Sequence, residues 1–190
     1  MTRIVAGAAR GRTLQVPRGG ATRPTSDRVR EALFSRLEHE GLLDGTRVLD
    51  LYAGSGALGL EAASRGAAAV VLVDSGAAAV SACRRNVTTL GLDGVEVRSQ
   101  AVGGFLAGPR AEPFDLVLVD PPYDLAEPAL AAVLAALAGG WLAPGACVVV
   151  ERSARTPEPA WPAGLTRYAE RRYGETRLWF AETPLPDAPA

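Results

Sequence analysis

The most specific chemical pattern in the sequence is an Asp-Pro-Pro-Tyr tetrapeptide at residues 120–123, which directly follows an apolar run typical of a buried strand. An amine conjugated with an aromatic ring is a poor nucleophile, and two acceptors for its N–H bonds would free its lone pair. Asp120 can supply one acceptor as a carboxylate, and the backbone carbonyl of Pro121 can supply the other. Pro121 and Pro122 stiffen the turn so that both acceptors stay aimed, and Tyr123 offers a ring for an extruded base to stack on. The tetrapeptide therefore predicts catalytic chemistry on an exocyclic base amine, with all four residues in the site.

A glycine-rich loop at residues 50–59 is the second candidate site. Gly54, Gly56 and Gly59 fit a GxGxxG pattern, in which the backbone approaches a ligand closely at the positive end of a helix. Asp74 closes the next predicted strand about twenty residues later, where a carboxylate can accept both hydroxyl groups of a ribose. The loop therefore predicts a cofactor that contains a nucleoside.

Two kinds of cofactor fit this loop, since the glycine pattern and Asp74 suit a nicotinamide dinucleotide as well as S-adenosylmethionine. Asp50 favours S-adenosylmethionine, because dinucleotide folds usually carry a small or apolar residue at the end of the first strand. In this interpretation Asp50 and the loop hold the methionine part and Asp74 holds the ribose. Gln100 and Ala101, which follow the third strand, would lie beside the adenine. The predicted cofactor-binding residues are Asp50, Tyr52, Gly54, Ser55, Gly56, Gly59, Asp74, Gln100 and Ala101.

Strands and helices alternate from residue 46 onward, and these elements must position both sites. Strands are predicted at 48–51, 70–73, 95–97, 116–119 and 147–150, and helices at 57–65, 76–90 and 127–138. Such alternation is typical of a parallel sheet that binds ligands beyond the carboxyl ends of its strands. Two further strands, at 165–173 and 176–181, resemble the closing hairpin of the methyltransferase sheet. We therefore expect an α/β, Rossmann-like class I fold, with a seven-stranded, mostly parallel sheet whose last strand is antiparallel.

The N-terminal part has a different pattern. Residues 3–16 predict a β-hairpin, and the segment Arg-Pro-Thr-Ser-Asp at 23–27 predicts the start of an amphipathic helix. Thr25 or Ser26 is the expected cap of this helix, which should end near Gly41.

Charge is divided unevenly along the chain. Residues 1–36 contain eight arginines and two acidic residues, whereas the remainder contains twelve arginines and nineteen acidic residues. A basic arm on an acidic body indicates a polyanionic partner, although a solvated arginine-rich surface would show the same pattern. We expect a basic extension for RNA binding at 1–40, a methyltransferase domain at 41–182 and a flexible, proline-rich tail at 183–190.

Other classes of protein and site are disfavoured. Cys83 and Cys147 lie in apolar elements without a CxxC partner, which predicts buried, reduced thiols. A single histidine, His39, argues against a zinc site, and we expect no metal. The uncharged run at 128–150 is broken by glycine and proline, which argues against a membrane span. The N-terminus has no apolar signal region, so we expect a cytoplasmic protein, and by default a monomer.

The sequence resembles the bacterial 16S ribosomal RNA guanine-N2 methyltransferases over nearly its whole length. Residues 3–14 are similar to the N-terminal hairpin of that family, and residues 23–34 are similar to its characteristic helix start. The motifs at 50–56, 120–123 and 173–176 match its remaining landmarks.

The resemblance implies methylation at N2 of one guanine in 16S ribosomal RNA, with S-adenosylmethionine as cofactor and the small subunit or an assembly intermediate as partner. It also implies that five arginines contact RNA phosphates: Arg10, Arg12, Arg23, Arg28 and Arg30. The tetrapeptide is shared with many amine methyltransferases, so DNA adenine, another RNA or a protein glutamine are alternative substrates. A dinucleotide-dependent oxidoreductase, the remaining alternative, would leave the tetrapeptide and the basic arm without a role.

Overall fold

The computed structural model describes residues 2–17, 26–110 and 112–185 of the chain. Its helices are α1 (Asp27–His39), α2 (Ala57–Ser64), α3 (Ala77–Leu90), α4 (Val102–Leu106) and α5 (Glu127–Ala138). Its strands are β1 (Arg47–Leu51), β2 (Ala69–Asp74), β3 (Val95–Ser99), β4 (Phe114–Val119), β5 (Leu142–Ser153), β6 (Thr166–Tyr173) and β7 (Thr176–Glu182). Strands and helices alternate from β1 to β5, as the sequence predicts.

In the described part of the chain the strands form one seven-stranded sheet, with the order β3-β2-β1-β4-β5-β7-β6. The pairs β2–β3, β1–β2, β1–β4 and β4–β5 are parallel. The last strand, β7, is antiparallel to both of its neighbours, β5 and β6. The expected Rossmann-like class I methyltransferase sheet is therefore confirmed.

The register of β1 determines which residues meet at the edge of the sheet. Leu51, the last residue of β1, pairs with Val73 of β2 on one side and with Val119 of β4 on the other. Asp74 and Asp120 follow these two partners directly along the chain. Both carboxylates therefore lie at the carboxyl edge of the parallel strands, on opposite sides of β1.

Side chains alternate across β1 and build a hydrophobic core on each face of the sheet. Val48 belongs to the core that also contains Phe34 of α1. Leu49 and Leu51 belong to the opposite core, with Leu134 of α5. A strand covered on both faces needs apolar residues at nearly every position, which explains Val48, Leu49 and Leu51; the buried Asp50 is the exception in this strand.

Helix α4 joins β3 to β4 and was not predicted from the sequence. It has only five residues, two of which are the poor helix formers Gly103 and Gly104. Val102 and Leu106, four residues apart, are its buried side chains. One such pair is too short a pattern to be distinguished from a loop.

The N-terminal segment forms a hairpin-like loop rather than a two-stranded ladder. A single antiparallel bridge joins Arg3 to Thr13, and the N–H of Ile4 donates to the carbonyl of Arg12 at 2.9 Å. In the following helix Ser26 is the N-cap, and its hydroxyl oxygen accepts the backbone N–H that lies three residues later. This confirms Ser26 as a cap; the other predicted cap, Thr25, lies outside the described residues.

Glu61 of α2 is fully buried and fastens the N-terminal segment to the sheet domain. Its carboxylate accepts the backbone N–H groups of Val5 at 2.8 Å and of Ala6 at 3.0 Å. Arg65 forms a salt bridge with it at 2.9 Å, and the guanidinium of Arg30 lies 3.7 Å away. Because breaking a buried ion pair leaves an uncompensated charge, this cluster is a strong attachment point.

Thr183, the first residue of the predicted tail, packs on β5. The N–H of Thr183 donates to the carbonyl of Ala146 at 3.0 Å, and its hydroxyl donates to the carbonyl of Ala143 at 2.8 Å. The first residues of the predicted tail are therefore attached to the domain, and 186–190 lie outside the described residues. Among the described helices, none combines the length and the apolar character that a membrane span requires.

Replacing Gly7 by alanine should destabilise the attachment of the N-terminal segment. Gly7 has a φ of +81°, and a Cβ there would lie 1.8 Å from the carbonyl oxygen of Ser64. Gly11 is a matched control, because its φ is +79° and a Cβ would meet no atom of the described part of the chain within 4 Å. We expect Gly7→Ala to lower the free energy of unfolding by about 2 kcal/mol more than Gly11→Ala in urea titrations. Equal losses in the two variants would contradict the close contact with α2.

Candidate active site

Asp50 lies near the carboxyl end of β1 and holds the glycine loop through a hydrogen bond from Gly59. Its Oδ2 atom accepts the backbone N–H of Gly59 at 2.8 Å, whereas its Oδ1 atom is buried without a hydrogen-bond partner among the described residues. Burial, with a smaller contribution from the charge of Asp74, raises the pKa of the Asp50 carboxyl to about 7. The structure therefore places Asp50 under the loop as an anchor of α2, and its side chain is not exposed at the surface of the site.

The three glycines of the loop meet different steric requirements. A Cβ at Gly59 would lie 2.3 Å from a methyl carbon of Leu72, so this glycine allows α2 to pack against β2. Gly56 has a φ of +80°, which other residues rarely adopt. Among the described residues, a Cβ at Gly54 would meet only the carbonyl oxygen of Tyr52, 4.0 Å away, which leaves open space beside this glycine. Tyr52 itself has a positive φ of 63°, a strained conformation for a tyrosine.

Asp74 is partly exposed and joins the loop to the end of β2. Its two carboxylate oxygens accept the N–H of Gly54 at 2.9 Å and the N–H of Gly76 at 2.8 Å. Each carboxylate oxygen has a further lone pair, so the group can still accept a ligand hydroxyl. The N–H of Gln100 donates to the backbone carbonyl of Asp74 at 3.0 Å, and Ala101 follows as the N-cap of α4. The structure thus brings the predicted ribose and adenine residues together.

The tetrapeptide lies on the other side of β1. The N–H of Asp120 donates to the carbonyl of Leu51 at 3.4 Å, which continues the pairing of β4 with β1 beyond the strand. Pro121 is buried, whereas Pro122 and Tyr123 are exposed. Tyr123 is 57% exposed, an unusual fraction for a residue with a large hydrophobic side chain. More than half of this residue is therefore accessible to solvent at the carboxyl edge of the sheet.

Arg152, at the end of β5, holds the chain that follows the tetrapeptide and was missed by the sequence analysis. Only 5% of this residue is exposed. Its guanidinium donates to the carbonyls of Leu125 at 2.9 Å and Pro122 at 3.4 Å, and it forms a salt bridge with Glu127 at 2.6 Å. An arginine two residues after the apolar run at 147–150 is the signal in the sequence that could have identified it, because a buried charge must have partners.

Asn86 of α3 is a second residue that the sequence analysis missed. It is buried, and its side chain amide exchanges hydrogen bonds with the backbone of Gln15 at 2.8 and 2.9 Å. The same amide donates to the carbonyl of Ser55 in the glycine loop at 2.8 Å. The N-terminal segment and the loop are therefore connected through one side chain.

Cys83, one turn earlier in α3, donates its thiol to the carbonyl of Gly54 at 3.2 Å. Burial raises the pKa of this thiol to about 12, so at neutral pH it is protonated and serves the loop as a hydrogen-bond donor. Cys147 is also buried and has a free thiol. The described residues contain no group of histidine, cysteine and carboxylate side chains that could hold a metal ion.

The predicted RNA-binding arginines have different environments. Arg10, Arg12 and Arg28 are exposed, and Arg23 lies outside the described residues. Arg30 is fully buried, and its guanidinium donates to the carbonyl of Arg3 and to the carboxylate of Asp27. The assignment of Arg30 to RNA is therefore corrected, because this side chain holds the N-terminal segment and is not accessible to a phosphate.

Comparison with known sequences identifies the family of the chain. Residues 2–182 match the family model described as Conserved hypothetical protein 95. The chain is 37% identical over 175 residues to the ribosomal RNA small subunit methyltransferase D of Escherichia coli strain K12, and the match covers 91% of this chain and 85% of that protein. It is 38% identical over 160 residues to the protein of the same name from Haemophilus influenzae, covering 82% of this chain and 80% of that protein.

Comparison with solved structures also finds similar proteins. The Escherichia coli protein yhhF is similar in structure, with a TM-score of 0.83 and 35% sequence identity, over 97% of this chain and 98% of that one. The similarity thus extends through the N-terminal segment as well as the sheet domain. This chain belongs to the family described as Conserved hypothetical protein 95, together with the small-subunit ribosomal RNA methyltransferases that match it over most of their length.

Proposed function

We propose that the chain transfers a methyl group from S-adenosylmethionine to the exocyclic N2 amine of a guanine in 16S ribosomal RNA. The observation that carries this proposal is the position of Asp74 and Asp120 on opposite sides of β1 at one sheet edge. One carboxylate can then bind the cofactor while the other acts on the amine. Methylation of small-subunit ribosomal RNA is also the activity named for the relatives that match the chain over most of its length.

The residues around the glycine loop fit S-adenosylmethionine, which is the cofactor and supplies an electrophilic methyl group bonded to a sulfonium sulfur. The partly exposed carboxylate of Asp74 suits the two ribose hydroxyls, and the open space beside Gly54 admits a ligand next to the backbone. Gln100 and Ala101 would lie beside the adenine. The buried Asp50 would act on the methionine part indirectly, by fixing the loop through Gly59.

The tetrapeptide would prepare the amine for transfer. The carboxylate of Asp120 accepts one N–H of the amine and the carbonyl of Pro121 accepts the other, which turns the lone pair out of conjugation with the ring. Tyr123 stacks on the extruded base, since a base that is stacked within an RNA helix cannot present this amine to the tetrapeptide. Arg152 keeps the following chain in place through the carbonyl of Pro122. Fixed acceptors of this kind cost no reorganisation during the reaction.

The substrate would be the small ribosomal subunit or an assembly intermediate, because the basic N-terminal segment suits a large polyanion.

The proposal is tested by incubating the protein with methyl-labelled S-adenosylmethionine and small subunits from cells that lack the corresponding gene. We expect the label in N2-methylguanosine after digestion of the 16S RNA. Label in another nucleoside would keep the amine chemistry and reject guanine N2, and the absence of any labelled RNA would reject the proposal.

Asp120→Asn should nearly abolish methyl transfer while cofactor binding remains. Asparagine keeps the shape of the side chain, but its single carbonyl oxygen replaces a charged acceptor. We expect kcat to fall at least about a hundredfold, with an unchanged Kd for S-adenosylhomocysteine. Asp124→Asn, an exposed carboxylate in the same loop, is the matched control and should retain activity. Full turnover by the Asp120 variant would remove this residue from the mechanism.

Replacing Asp74 should weaken cofactor binding. Its carboxylate is the proposed ribose acceptor, and it also holds the amides of Gly54 and Gly76. We expect Asp74→Ala to raise the Kd of S-adenosylhomocysteine at least about tenfold in isothermal titration calorimetry. The exposed Asp93 provides the control, because Asp93→Ala removes the same charge away from the site. Equal affinities in the two variants would overturn the ribose assignment.

The buried Asp50 should make stability depend on pH. Its pKa is raised from 3.8 to about 7, so the folded chain holds this proton more tightly than the unfolded chain does. The stabilisation is therefore complete below about pH 4 and is lost as the pH rises through 7. Relative to Asp50→Asn, which cannot titrate, the wild type should gain up to about 1 kcal/mol per pH unit as the pH falls below 7. Urea titrations at several pH values measure the free energies of unfolding of the two proteins. If both depend on pH in the same way, Asp50 does not take up a proton in this range.

A further inference from the structure

A groove lies between the N-terminal segment and helix α3, outside the site described above. Its volume is about 300 Å³, and it is lined by Gln15, Arg84, Arg85, Thr88 and Thr89. None of these described lining residues is acidic, and two of them carry a positive charge at every physiological pH. The groove is therefore a compact positive surface on an otherwise acidic domain.

A third arginine reaches the rim of this groove from the N-terminal segment. The guanidinium of Arg12 donates to the carbonyl of Thr89 at 2.7 Å, and it has further N–H donors for a ligand. Arg85 is held in position by Gln15 at 2.6 Å and by Ser81 at 2.7 Å. Because a guanidinium that is already oriented loses little freedom on binding, this arrangement suits a phosphate group.

The groove is connected to the cofactor loop through helix α3. Cys83 and Asn86 face inward and bond to the carbonyls of Gly54 and Ser55, whereas Arg84 and Arg85, which lie between them in sequence, line the groove. Asn86 also bonds to Gln15, a lining residue of the groove. Consecutive residues of one helix thus contact the loop and the groove.

We propose that this groove binds the phosphate backbone of the substrate RNA. Arg84 and Arg85 would contact phosphates together with Arg12, which the sequence analysis already assigns to RNA. The proposal rests on the proposed function, in which the substrate is RNA, and it adds two residues from outside the basic N-terminal segment. The planar guanidinium fork matches a phosphate in two hydrogen bonds. The groove thereby extends the RNA-binding surface from the N-terminal segment onto the sheet domain.

The experiment compares two double variants that remove the same charge. The first variant, Arg84→Gln/Arg85→Gln, changes the groove. The second, Arg171→Gln/Arg172→Gln, is the control; it changes two exposed arginines that are consecutive in β6, at the opposite edge of the sheet. The probe is a fluorescently labelled 16S ribosomal RNA transcript, titrated at several salt concentrations. We expect the groove variant to raise Kd roughly tenfold near 0.1 M salt and to lower the salt slope by about one to two, with no change in the β6 variant.

Further readouts separate the possible failures. If the groove variant binds S-adenosylhomocysteine with unchanged affinity, it is folded. We expect the KM of the groove variant for RNA to rise while its kcat is retained. If both variants have the same Kd and salt slope as the wild type, the groove does not bind RNA. Weaker binding to intact small subunits but not to the transcript would indicate a ribosomal protein as the partner and overturn the proposal. Failure of the proposed function is distinct, because the wild type itself would then form no N2-methylguanosine.

Discussion

The parallel pairing of Leu51 with Val73 on one side and Val119 on the other aligns three strand ends at one edge of the sheet. Asp74 and Asp120 then emerge at the same level, separated by the width of β1. A slip of one residue in either pairing would turn the side chain to the opposite face. The hydrophobic cores on the two faces of the sheet fix the register, and the chemistry of the site therefore depends on the packing of residues that never touch a ligand.

The N-terminal segment is part of this arrangement. Glu61 binds it to α2, and Asn86 binds it to the glycine loop. Through these contacts the position of the exposed Arg10 and Arg12 is coupled to that of the cofactor loop. Buried polar groups with all partners present are costly to disturb, so the segment has a defined place on the sheet domain even though its hairpin contains a single bridge.

Sequence patterns predicted the elements whose signals are local. The glycine loop, Asp74, the tetrapeptide and the apolar runs of the sheet can each be recognised within a short window. Glu61 and Asn86 could not be predicted, because their partners lie 56 and 71 residues away in the chain. A charged residue near the end of an apolar strand marks Arg152, but its partner Pro122 lies 30 residues away and could not be predicted either. The resemblance implied an RNA contact for Arg30, whereas its side chain is buried and paired with carboxylates. A buried arginine has the same sequence signal as an exposed one, so the sequence alone could not distinguish the two environments.

In the proposed mechanism, Asp74 binds the cofactor and Asp120 acts on the amine. This assignment is tested most directly by a crystal structure of the protein with bound S-adenosylhomocysteine. We expect the ribose hydroxyls within hydrogen-bond distance of Asp74, the adenine beside Gln100 and Ala101, and the sulfur atom directed toward Asp120. A ligand whose ribose lies away from Asp74, or whose sulfur is turned away from Asp120, would contradict the assignment of the cofactor and the amine to opposite sides of β1.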